Sequence, residues 1–238
     1  MPGQQARAPH VIDGTPGIRG QARRLQSPGT SARRWMLRRR VSLAQPLTTR
    51  LTRLRERLRR HRPRTDEDGD LIWAAVALIL APDPDALLLI RRAEHPGDPW
   101  SGHMALPGGR RAESDSGLAA TAVRETQEEV GVLLRPEHLI GSLDDVVPRT
   151  PVLPPIAVRP YVFSLPSRPV LVPNPEVAAT RWVDLDHLLQ LGTQHTVRLD
   201  VGGISRQVPA YQLDDAIVWG MTERIITTLL DQIRSDQA

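Results

Sequence analysis

The run from Leu106 to Val132, LPGGRRAESDSGLAATAVRETQEEVGV, constrains this chain more than any other stretch. Glu125, Glu128 and Glu129 recur at i, i+3 and i+4, which puts them on one helical face, close enough to share a ligand. Three adjacent carboxylates repel one another and weaken their helix, and a divalent cation removes that conflict. Gly131 supplies the left-handed position that ends such a helix, and Ser114 or Asp115 supplies its N-cap. Leu118, Ala119, Ala122, Val123 and Val130 form a separate apolar stripe directed at a core. Acidic helix faces are ordinarily solvated. Here Pro107, Gly108 and Gly109 stand directly in front, and the glycine pair lets backbone approach a ligand or metal closely.

These residues resemble the signature of the Nudix hydrolases, whose second half is matched at Arg124, Glu125, Glu128, Glu129, Gly131 and Val132. The chain departs from it in two places. Thr126 takes an aliphatic position, and eight residues rather than seven separate Asp115 from Arg124. An extra residue with aspartate at that place is similar to the coenzyme A pyrophosphatase branch. The frame of Leu88, Leu89, Ile90, Arg91 or Arg92, followed by Gly102, Met104 and Leu106, resembles the segment ahead of the helix in that branch. His103, Met104 and Leu106 replace its usual glutamine, valine and phenylalanine. IVWGMTERI, from Ile217, resembles a segment near the C-terminus of the same branch. The resemblance extends with gaps from about residue 46 to residue 233.

The resemblance implies an α/β/α sandwich with a mixed central sheet, and metal-assisted hydrolysis of a pyrophosphate bond. Hard cations favour oxygen ligands, so Glu125 and Glu129 are the first choices to hold Mg²⁺ or Mn²⁺. Glu128 would bind a further ion or take the proton from the attacking water, and the Gly109 carbonyl would serve as a backbone ligand. Arg124 would fix the carboxylates. Arg91 and Arg92 would hold substrate phosphates through bidentate contacts, and Glu176, in an N-x-E-V element, would act as an extra ligand or base. His103 reads as a hydrogen-bonding loop residue.

Around this centre the pattern is that of one mixed domain, residues 66–238. Leu71 to Ala81 is an eleven-residue apolar run, too short to span a bilayer and suited to a buried strand. Leu87 to Arg91 completes a hairpin with it. Strands follow at Met104 to Leu106, Ile156 to Leu165 and Thr180 to Val183. A short helix is expected over Asp186 to Leu191, a hairpin over Val197 to Val208, and a last helix from about Asp215 to Ile233. Residues 46–65 form an amphipathic helix with a linker. Leu47, Leu51, Leu54 and Leu58 recur at steps of four, three and four, and the helix starts at Pro46 and docks on the domain.

Charge is divided unevenly. Residues 1–65 carry 17 arginines against Asp13 and Glu56, a net of +15; since the whole chain is +4, the remainder carries −11. Residues 1–45 read as a disordered basic arm, with Trp35 its single aromatic residue and therefore no stacking platform for bases. Met36 offers a second start, and the arm's composition also suits an organellar transit peptide. No nucleic-acid or membrane partner is expected. With no cysteine, disulfides, thiolate zinc sites and cysteine nucleophiles are excluded, and a reducing cytoplasm fits. Three classes stay open: a hydrolase of coenzyme A or its thioesters, a Nudix enzyme acting on other small nucleotides (nucleoside triphosphates, ADP-ribose, NADH), and a non-catalytic nucleotide-binding module.

Overall fold

The computed structural model describes residues 47–65, 71–96, 100–148, 155–191, 195–201 and 204–235. The basic arm and the acidic DEDGD segment lie outside them. The apolar run becomes β1 (Ile72–Ala81), which turns back into β2 (Ala86–Arg92) with Leu80 opposite Leu87. β1 also runs parallel to β6 (Ile156–Ser164), in register from Ile72 with Ile156 to Leu80 with Ser164. β5 (Leu139–Ser142) lies antiparallel on β6, and β7 (Val177–Asp184) lies antiparallel on β2. Beyond the hairpin β1 and β2 take different partners. β3 (Met104–Ala105) pairs with the end of β2, and β4 (Gly108–Arg110) pairs with β1 at Ala74 to Val76. Between them Pro107 accepts a hydrogen bond from the Ala77 N–H at 2.8 Å. This crossing, in a seven-stranded mixed sheet, brings the glycine pair to the sheet.

Both faces of the sheet are covered, which is why its central strands are nearly all apolar. Ala75, Ala77, Ile79, Leu88 and Ile90 point to one face and meet Ala122 and Val130 of α2 (Leu118–Val130). The alternate residues Leu78, Leu80, Leu87 and Leu89 point to the other. There they pack with Leu51, Leu54 and Leu58 of α1 (Thr49–Arg60), Leu188 of α3 (Leu185–Leu191), and Ile225, Ile226, Leu229, Leu230 and Ile233 of α4 (Gly220–Arg234). Helices on both faces of a mixed sheet make the α/β/α sandwich.

α1 starts later than Pro46: Thr48 is its N-cap and accepts a hydrogen bond from the Leu51 N–H. The Thr48 hydroxyl also donates to Asp85 at the β1–β2 turn, at 2.9 Å. From the same helix Arg57 donates to the Gln232 and Ser235 carbonyls at the end of α4, at 2.8 and 3.1 Å. His61 and Arg64 meet Asp144, so α1 is fastened at several points to the body. None of the described helices is long and apolar enough to cross a membrane.

A second sheet holds β8 (Thr196–Val201), β9 (Ile204–Gln212) and β10 (Ile217–Trp219). β10 corrects the expectation of one helix from Asp215. Ile217, Val218 and Trp219 pair with Gln212, Tyr211 and Ala210, and Gly220, in the left-handed region at φ 70°, turns strand into helix. The N-cap of α2 is also corrected: it is Gly117, with no side-chain cap, because Asp115 turns inward.

Candidate active site

The site forms where β4 passes beneath α2. At φ 153° Gly108 occupies backbone space that favours glycine, and a Cβ there would lie 2.3 Å from the Ala75 carbonyl oxygen. Only a residue without a side chain lets β4 lie this close to β1. Its N–H donates to Glu129 Oε2 at 2.9 Å. A Cβ on Gly109 would fall 2.4 Å from Glu125 Oε1, so the glycine pair and the two carboxylates are pressed together. The bare backbone makes room for acid groups that the helix projects one turn apart.

Arg124 organises the other side of the helix. Its Nε and Nη2 grip Asp115 Oδ1 and Oδ2, both at 3.0 Å. Nη1 reaches Glu128 Oε2 and Nη2 reaches Glu125 Oε1, again at 3.0 Å. Asp115 also accepts from the Ala112 N–H and the Thr121 hydroxyl, each at 2.9 Å. Buried as it is, this carboxylate has its lone pairs occupied, and the Arg124 guanidinium holds its pKa well below the ordinary carboxylate range. Sequence reasoning missed this role. The unusual eight-residue spacing was its one visible trace.

Glu129 stands in the opposite situation. It is 4% exposed, and burial pushes its carboxyl up to about 7, opposed mainly by the Gly108 N–H and raised further by Glu125 and Glu176. Burial likewise raises Glu125, with Arg124 opposing and Glu128 and Glu176 adding to the rise. Glu128 is exposed and held by Arg124. Glu125 and Glu129 thus lie near one another and near Glu176, with Arg124 and Arg92 opposing their mutual repulsion.

Glu176 reaches this field through a turn of its own. The Asn174 N–H donates to the Glu129 carbonyl at 3.0 Å, the Asn174 side chain accepts from the Glu176 N–H at 2.9 Å, and the Glu176 carbonyl accepts from Ala93 at 2.8 Å. The same segment thus satisfies a carbonyl left open at the end of α2 and holds Glu176 beside β2.

The two arginines that end β2 part company. Arg92 is close enough to lower the Glu129 pKa, whereas Arg91 donates to the carbonyl and carboxylate of Asp215 at 3.1 and 3.2 Å. Strand alternation puts Arg91 with Leu87 and Leu89, facing α4. Beside Arg92, whose N–H donates to the His103 carbonyl, the His103 ring meets Trp219 edge to face, with ring centroids 5.0 Å apart. His103 is a hydrogen-bonding loop residue, as expected, and also makes a ring contact.

Among the described residues, no three acidic or histidine side chains already surround a single point. The donor chemistry nonetheless fits a hard divalent cation: burial is the main cause that raises the pKa of both Glu125 and Glu129, with Glu128 and Glu176 adding to the rise at Glu125 and Glu125 and Glu176 adding to it at Glu129, and a cation would offset that repulsion.

A NUDIX domain model matches residues 71–200. A protein of Schizosaccharomyces pombe is 40% identical over 119 residues, which span 48% of this chain and 36% of that one. The Nudix hydrolase NudL of Yersinia pestis is 31% identical over 66% of this chain and 77% of its own length. The chain thus spans about a third of the first relative and three quarters of the second. Among solved structures, a MutT/nudix family protein from Enterococcus faecalis has a TM-score of 0.53 at 18% identity, covering 88% of this chain and 76% of that one. It supports the sandwich as a fold.

Proposed function

The chain belongs to the Nudix family of hydrolases, and on that premise we propose that it splits the phosphoanhydride bond of a nucleoside diphosphate derivative, coenzyme A or an acyl-coenzyme A being the leading substrate. One observation carries the reading: Glu125 and Glu129, one turn apart on α2, face the bare backbone of Gly108 and Gly109. Glu125 and Glu129 would hold Mg²⁺ or Mn²⁺, with Glu128 and the Gly109 carbonyl as further oxygen donors; such an ion would supply charge neutralisation of the diphosphate and a lower pKa for bound water.

The chain's own groups perform the rest. Water attacks one phosphorus, the bridging P–O bond breaks, and the bridging oxygen leaves with the other phosphate. The water proton passes to Glu128, which Arg124 holds in place at 3.0 Å. Arg92 is the phosphate ligand we favour over Arg91, because Arg92 lies close enough to act on Glu129, whereas Arg91 faces Asp215. Glu176 serves as an additional base or ligand. For coenzyme A the products are adenosine 3′,5′-bisphosphate and a phosphopantetheine. His103, Met104 and Leu106, which differ from the coenzyme A branch, favour a second reading in which another small nucleotide is cleaved at the same site.

The test is product analysis with Mg²⁺ or Mn²⁺ on coenzyme A, acetyl-coenzyme A, ADP-ribose, NADH and nucleoside triphosphates. Coenzyme A compounds cleaved fastest support the first reading, and preference for another diphosphate supports the second. If no substrate is cleaved, the hydrolase proposal falls and a nucleotide-binding module takes its place.

A further inference from the structure

Trp219 belongs to neither apolar cluster of the core, and both it and His103 are only partly buried. An aromatic pair of this kind adds little to core packing. Its position is nevertheless well fixed. Trp219 ends β10, pairing with Ala210, and Gly220 turns the chain away directly after it. The segment ahead of β10 is tied to the sheet: Arg91 and Arg181 both hold Asp215, and Arg181 also holds Asp214. His103 is fixed by its backbone, its N–H donating to the Trp100 carbonyl and its own carbonyl accepting from Arg92. The next residue, Ala93, donates its N–H to the Glu176 carbonyl at 2.8 Å. The ring pair therefore stands at the end of β2, the same end at which the Glu176 backbone is held.

We infer that His103 and Trp219 form the wall on which the nucleobase of the substrate stacks. The inference rests on the hydrolase reading and deepens it. At 66° between ring planes, one ring abuts the other with its edge, an arrangement that leaves a ring face for a third planar group. A base carried on a diphosphate has such a face, whereas the aliphatic pantetheine arm has none. Arg92 beside the pair suits the phosphates that follow the base. The wall then selects the nucleoside half of the substrate, and the carboxylates act on its diphosphate.

The test uses the full chain and the two halves of coenzyme A as separate probes, adenosine 3′,5′-bisphosphate and 4′-phosphopantetheine, with binding read by calorimetry and by tryptophan fluorescence. The bisphosphate is expected to quench emission in the wild type. Trp219→Phe should lose that quench yet still bind the bisphosphate by calorimetry, since a phenyl ring also stacks. Trp219→Ala should weaken its binding roughly ten- to hundredfold, the range of one base–aromatic stack. In turnover it should raise KM by a similar factor and change kcat by less than about threefold, an order of magnitude below the KM effect. Trp182→Phe, on β7, should leave the quench intact. Quenching by phosphopantetheine alone would overturn the wall. So would equal bisphosphate affinity in the wild type, Trp219→Ala and Trp219→Phe while hydrolysis proceeds, a result that leaves the hydrolase reading standing. Conversely, a Trp219-dependent quench by the bisphosphate with no diphosphate hydrolysed would sustain the wall and defeat the hydrolase reading.

Discussion

Two buried carboxylates, Asp115 and Glu129, flank the same helix and meet opposite treatment. Asp115 receives a two-pronged grip from Arg124, a backbone N–H and a hydroxyl, and stays ionised. Glu129 receives one N–H from Gly108, faces Glu125 and Glu176, and has its pKa pushed up to about 7. Both are below a tenth exposed, yet burial is the largest influence on Glu129, whereas at Asp115 the Arg124 hydrogen bonds outweigh it. The difference lies in what each finds inside. The protein surrounds Asp115 with donors, whereas at Glu129 the Gly108 N–H and Arg92 work against burial and two neighbouring carboxylates. A carboxylate of the first kind holds structure together; the second kind is the one we propose as a cation ligand.

The contrast breaks most sharply under substitution. Glu129→Gln keeps the shape and removes the charge. Turnover should fall by about two orders of magnitude or more, the scale of a lost transition-state contact, while the metal-free protein should be no less stable in urea. Wild-type turnover in this variant would remove Glu129 from the chemistry. Asp115→Asn should do the reverse and cost roughly 2–3 kcal/mol of stability, because Arg124 loses its main partner. Turnover should fall as well, since Arg124 also holds Glu125 and Glu128. A variant as stable as the wild type in urea would show that the clamp is dispensable.

A pH series sharpens the same contrast without mutation. The folded-state pKa of Glu129 is raised from 4.5, so its stabilising contribution is present below that value and is lost as pH rises toward about 7. Asp115 is lowered from 3.8, so its contribution is present above that value and is lost as pH falls further. In a chelator, the stability of the wild type relative to Glu129→Gln should therefore increase as pH is lowered from 7 to 4.5. Relative to Asp115→Asn it should begin to decline only below about 4, the ordinary aspartate range. The smallest effect lies outside both regions: Thr48→Ala removes the cap of α1 and should cost about 1 kcal/mol with turnover unchanged, which checks that lost stability does not by itself mimic a site defect.

Much of this architecture was legible in the sequence because it is periodic. The leucines of α1 and the acids of α2 repeat with the step of a helix, the apolar run of β1 is continuous as a strand covered on both faces requires, and each takes the predicted form. What stayed hidden depends on partners distant along the chain. Asp115 reads as an N-cap until the turn after Ala112 folds it back toward Arg124, nine residues on. Ile217 to Trp219 reads as the start of a helix because three residues are too few to show a period, and only pairing with β9 makes them a strand. Arg91 and Arg92 look equivalent in sequence. Strand geometry and Asp215 separate them.

The most direct test of the central claim is Mn²⁺ binding by calorimetry near pH 7.5, for the wild type, Glu129→Gln and Glu125→Gln, with folding checked by circular dichroism. Binding by the wild type, weakened at least about tenfold in each folded variant by loss of a charged ligand, is the result expected of carboxylates that hold the cation. Equal affinity in all three would contradict the account and place the cation elsewhere.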